Sequence, residues 1–132
     1  METGLKTFQT NNNLDNKLQN KLSIQVSLSG LSFCVLNKPS NTVLYHSEII
    51  FKKILPPAEV LKQLKAHLSS DKLFQQDFND VILIHDNALA ALVPKTLFNK
   101  DNLSDYLKFN SKILNNDFIT FDELTQNEII NV

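Results

Sequence analysis

Residues 21–38, KLSIQVSLSGLSFCVLNK, constrain the fold more than any other part of the chain. Leu22, Ile24, Val26 and Leu28 alternate with Ser23, Gln25 and Ser27, and a two-residue period of this kind marks a half-buried strand. Leu31, Phe33 and Val35 repeat the pattern. Only Ser29 and Gly30 lie between the two runs, so the spacing predicts a tight hairpin, with the glycine supplying the positive φ that two-residue loops favour. The same junction has a second reading, a loop whose backbone N–H groups grip an anion.

The next residues extend the first reading. NKPSN at 37–41 predicts a turn, and TVLYHSEIIF at 42–51 a third strand, giving an antiparallel meander. The period then changes. Pro56 and Pro57 suit a helix start, and Val60, Leu61, Leu64 and Leu68 fall on one helical face until SSD ends it. DVILIHD at 80–86 is apolar without alternation, the pattern of a central strand covered on both faces and paired in parallel after a helical crossover. Beyond it, residues 87–99 predict a helical start broken near Pro94. Residues 99–114 predict a second helix capped by Asp101 or Asn102, 117–121 a strand, and EIINV a further apolar run. Residues 1–20 are polar and asparagine-rich. They read as a flexible arm, with one helical turn suggested by the spacing of Leu14, Leu18 and Leu22. Residues 21–132 then form one lobe.

Charge and composition exclude some functions. The chain of 132 residues has a net charge of −1, so no global field draws it to nucleic acid or an anionic membrane. All thirteen basic residues are lysine, which removes arginine's planar fork from any phosphate clamp or base readout. The lysines are scattered among acids and are not interleaved with aromatic residues in a base-stacking pattern. The lone Cys34 sits in an apolar run and reads as a small buried hydrophobe. No leader-type apolar segment or membrane-length run is visible, so the expected compartment is the cytoplasm.

The order strand–strand–strand–helix–strand–helix–strand is that of the ribonuclease-H-like α/β fold with a mixed sheet. The residues LSIQVSLSGLSFCVLN, the proline-led helix and VILIHDNALAALVPKTLF together resemble the front half of an uncharacterised bacterial family related to the actin-like ATPases. That resemblance implies longer, two-lobed relatives. It also implies that this chain is a truncated form, a natural fragment or a half completed by a partner.

Actin-like ATPases carry a carboxylate at the end of the first strand, in a pattern like Asp-x-Gly, that organises Mg²⁺ and its waters. Aligned on Gly30, that position falls on Leu28, or on Ser29 after a shift of one. No aspartate or glutamate occurs from Leu22 to Asn37. The nuclease form of the fold needs several converging carboxylates, and Glu59 and Asp86 alone do not make that set. His46 and His67 have no ligand-spaced partners, and no serine lies in a nucleophile elbow. The remaining candidates for an anion or nucleotide are Ser27, Ser29, Gly30 and Ser32 of the hairpin, with Asp86 at a strand end where open α/β sheets bind ligands. Asp86 or Asn87 also has the simpler role of capping a following helix. The expectation is therefore a non-catalytic scaffold or protein-interaction domain with no cofactor and no metal. Its expected partner is a second lobe or a second copy. Nucleotide or anion binding at the hairpin is the alternative, and nucleic-acid binding is disfavoured.

Overall fold

The computed structural model describes residues 3–9 and 19–132 of the chain, which divides into two compact units, residues 1–86 and 87–132. The sequence reading placed 21–132 in one lobe. The division falls after Asp86, where the segment expected to be helical is not a helix.

The first unit is a five-stranded mixed sheet with a helix. Its strands are β1 (Thr3–Gln9), β2 (Asn20–Val26), β3 (Gly30–Asn37), β4 (Thr42–Phe51) and β5 (Asp80–His85), in the spatial order β1-β4-β3-β2-β5. β2, β3 and β4 form the expected antiparallel meander, and β5 pairs with β2 in parallel after the helix α1 (Pro57–Ser70). This is the mixed α/β, ribonuclease-H-like order. One expectation is corrected at the start of the chain: Thr3–Gln9 is not part of a mobile arm but a strand, antiparallel to β4 from Thr3 opposite Phe51 to Gln9 opposite Tyr45. The helical turn expected around Leu14 and Leu18 lies outside the described residues.

The alternation read from the sequence sorts the sheet faces. Leu22 and Ile24 of β2, Leu31, Phe33 and Val35 of β3, and Tyr45, Ile49 and Phe51 of β4 are buried in one cluster. Val60 of α1 joins that cluster, with Leu64 and Leu68 packed against it, so the helix covers this face. Phe33 lies at its centre, 1% exposed, its ring 4.9 Å from that of Phe74.

The hairpin differs from the expected one by a residue. Val26 pairs with Leu31, and the Ser27 N–H donates to the Gly30 carbonyl at 3.0 Å. The two central residues are therefore Leu28 and Ser29, and Gly30 is the first residue of β3. No described glycine has a positive φ. Glycine is needed at position 30 for a different reason: an added Cβ would lie 2.4 Å from the Ile49 carbonyl oxygen. The turn at 37–41 forms as expected. Asn37 Oδ1 accepts from the Ser40 N–H at 3.1 Å, and Asn41 takes φ 50°, a conformation asparagine tolerates.

β5 pairs in parallel as expected but is not central. It is the edge of the sheet, and all six of its residues are exposed. Its first residue is tied down by an ion pair from Lys38 to Asp80, which holds the Asp80 carboxyl below the usual aspartate range, first through the hydrogen bond and then through charge. A folded-state value below the unfolded one stabilises at pH above the ordinary aspartate value of about 3.9, and the effect is lost as pH falls through the lowered value. Both side chains are solvent-exposed, so the effect is small. Chemical denaturation of wild type and Asp80→Asn at a series of pH values should show a small deficit for the variant near neutrality that closes in acid.

The second unit is a small antiparallel sheet of β6 (Leu92–Pro94), β7 (Asp122–Leu124) and β8 (Ile129–Asn131), ordered β6-β8-β7, with a short helix α2 (Leu103–Leu107). Its core is Val93, Leu107, Ile130 and Val132. Several expectations are corrected here. Residues 87–91 are not helical, and Leu92–Pro94 is a strand. The helix expected over 99–114 is reduced to Leu103–Leu107 after a 3-10 turn. Asn99, not Asp101 or Asn102, supplies the side-chain cap, accepting from the Asp101 N–H at 2.9 Å. The strand expected at 117–121 lies instead at 122–124. EIINV supplies the middle strand, because Ile130 and Val132 are the residues that the small core buries.

Candidate functional site

The polar face of the meander meets the hairpin in a cleft of about 370 Å³. Register builds one wall. Gln25 of β2 lies opposite Ser32 of β3, and Ser32 lies opposite Glu48 of β4, so three strands present a row of polar residues. Ser27, Ser29 and Gly30 of the hairpin line the cleft, as does Asp86, just past the end of β5. Asp86 is held beside the hairpin by its backbone N–H, which donates to the Val26 carbonyl at 2.8 Å. Its carboxylate accepts from Gln25 Nε2 at 3.3 Å.

All five residues singled out from the sequence, Ser27, Ser29, Gly30, Ser32 and Asp86, thus line one cleft. Gln25 and Glu48 were missed. Both stand on the polar side of their strands, and Glu48 is the only acid within 42–51, but only the register brings them to Ser32. Asp86 and Asn87 cap no helix. Asn87 Oδ1 instead accepts from the Leu89 N–H at 2.6 Å in a local turn. Glu59 sits in the first turn of α1 and is not among the residues lining the cleft. His67 lies beside the Phe33 ring at 6.3 Å between centroids, and His46 is exposed on β4. Among the described residues, no group of three or more His, Cys, Asp or Glu is placed to hold a metal ion. Burial pushes the Cys34 thiol up from its ordinary value, which favours the protonated, less reactive form.

The hairpin's own hydrogen bonds define its chemistry. Ser27 Oγ accepts the N–H of Ser29 at 3.2 Å and that of Gly30 at 3.1 Å. It lies 3.1 Å from the Gly30 carbonyl, to which it donates, and 3.0 Å from Ser29 Oγ. Leu28, one of the two positions that align with the actin-type aspartate, packs against the core cluster.

A second feature is the β5 edge. Val81, Ile82, Leu83 and Ile84 are 59%, 40%, 62% and 49% exposed, although their composition is that of a strand covered on both faces. Among the described residues, no helix is long and apolar enough to cross a membrane.

The fold class has a solved counterpart. The chain is similar to a Bacteroides thetaiotaomicron protein with actin-like ATPase fold and unknown function, at 18% identity and a TM-score of 0.75 over 87% of this chain. It spans 44% of that protein's length. Residues 9–132 match the family described as protein of unknown function (DUF3822), and the chain belongs to that family. No curated protein matches it. Neither position that aligns with the actin-type aspartate, Leu28 or Ser29, carries a carboxylate, and the Ser29 and Gly30 N–H groups are bound to Ser27.

Proposed function

We propose that this chain is a non-catalytic interaction domain that uses an actin-like lobe as a scaffold and joins another polypeptide through the β5 edge. The observation that carries this reading is the exposure of four consecutive large apolar residues on a sheet-edge strand. An edge strand presents unpaired backbone N–H and C=O groups, and soluble proteins ordinarily blunt such edges with charge, proline or a covering element. β5 has none of these between Val81 and Ile84, and its side chains are apolar on both faces. A further strand, brought by a second lobe or a second copy, satisfies both the backbone and the side chains. The absence of arginine and the misfit hairpin support the non-catalytic part of the reading.

In isolation, the chain has another copy of itself as the available strand donor. Sedimentation equilibrium should therefore show an average mass that rises above 15.0 kDa with concentration. Leu83→Lys should restore the monomer without lowering the melting temperature, because position 83 is exposed in the isolated unit. A wild-type chain that remains strictly monomeric at every concentration, and sediments like Leu83→Lys, would remove this reading.

A further inference from the structure

We propose that the Ser27 hydroxyl is a built-in occupant of the hairpin's anion position and closes the cleft to phosphates and nucleotides. A phosphate-gripping loop works by aiming several unpaired backbone N–H groups at one ligand oxygen. In this hairpin two N–H groups, from Ser29 and Gly30, do converge on one oxygen, and that oxygen is Ser27 Oγ. The N–H of Ser27 itself is bound across the turn to the Gly30 carbonyl. The hydroxyl thus stands where an anion's oxygen would stand, and a phosphate must displace it from both donors before the loop can bind.

Charge acts in the same direction. Glu48 and Asp86 line the cleft, and among the residues whose side chains are described no lysine does. A metal-free phosphate entering the cleft meets the carboxylates of Glu48 and Asp86, with Lys6 of β1 opposite Glu48 in the ladder. The hydroxyl blocks at contact and the carboxylates repel at longer range. Glu48 is placed by the sheet register, Ser27 by the hairpin's own bond from its N–H to the Gly30 carbonyl, and Asp86 by its backbone bond to Val26. This inference is independent of the β5 edge and stands or falls separately from it.

The test is calorimetric titration of the whole chain with inorganic pyrophosphate and, in a second arm, with Mg²⁺–ATP. Wild type should give no binding heat with either probe at millimolar concentration. Ser27→Ala frees two N–H groups, so amide hydrogen exchange at positions 29 and 30 should quicken about tenfold or more. Ser27→Thr, which keeps the hydroxyl, should remain slow. Combined with Glu48→Gln and Asp86→Asn, Ser27→Ala should bind pyrophosphate at least about tenfold more tightly than wild type. Binding of either probe by wild type overturns the proposal without need of any variant. It is equally overturned if the Ser27→Ala amides exchange no faster, or if the folded triple variant gains no pyrophosphate affinity.

Discussion

Alanine in place of Phe33 is expected to destabilise the first unit by about 3–5 kcal/mol, the range for removing a buried aromatic side chain. Phe33 is 1% exposed and belongs to the cluster shared by β2, β3, β4 and α1. Its ring also meets those of Phe74 and His67 at 4.9 and 6.3 Å, so truncation removes aromatic contacts as well as apolar burial. The backbone on both sides is held in ladders to β2 and β4, which limits collapse into the vacated space. Phe33→Leu keeps more of the volume and should lose less than half as much. Urea unfolding monitored by far-UV circular dichroism checks both values. A loss below about 1 kcal/mol for Phe33→Ala would show that this ring does not organise the core.

Gly30→Ala is expected to produce the second large effect, about 3 kcal/mol, with a fall in melting temperature of roughly 10 °C or more for a unit of this size. The cause is steric rather than conformational. The new methyl group would sit 2.4 Å from the Ile49 carbonyl oxygen and 3.4 Å from its carbon. Both are backbone atoms of β4, paired to β3 directly beside the hairpin, and cannot rotate away as a side chain would. Relief requires the strands to part where Ser29 O accepts the Phe51 N–H at 2.9 Å. Thermal unfolding measures the shift. Wild-type stability in Gly30→Ala would mean that β3 and β4 do not approach this closely in solution.

The meander was readable in the sequence because alternation reports directly on a two-sided sheet. The third strand, 42–51, matches β4 at both ends. The hairpin was placed one residue late because glycine was read as a turn former, whereas Gly30 is required by the proximity of Ile49, which no local pattern encodes. DVILIHD announced a parallel strand correctly, but a sequence run cannot say whether the neighbouring strand it calls for is present in the same unit. Residues 87–132 were the least readable. Their elements are three to five residues long, and the contacts of Val93, Leu107 and Ile130 select their conformation more than local propensity does. In the cleft, Ser27, Ser29, Gly30, Ser32 and Asp86 were picked out from turn chemistry and strand position. Gln25 and Glu48 depend on cross-strand register, which an isolated sequence leaves open. The role of Ser27 lies in which donors its hydroxyl collects, and this emerges only once Val26 is known to pair with Leu31.

Amide hydrogen exchange along β5, measured at rising protein concentration, tests the interaction edge most directly. The exposed strand predicts that, across 80–85, the amides not bonded to β2 are unprotected in dilute solution and gain protection as copies associate, and that the same amides stay unprotected in Leu83→Lys. Outward-facing amides that are already protected in dilute monomer, or that gain no protection at any concentration, would contradict the assignment of this edge as the surface through which the domain works.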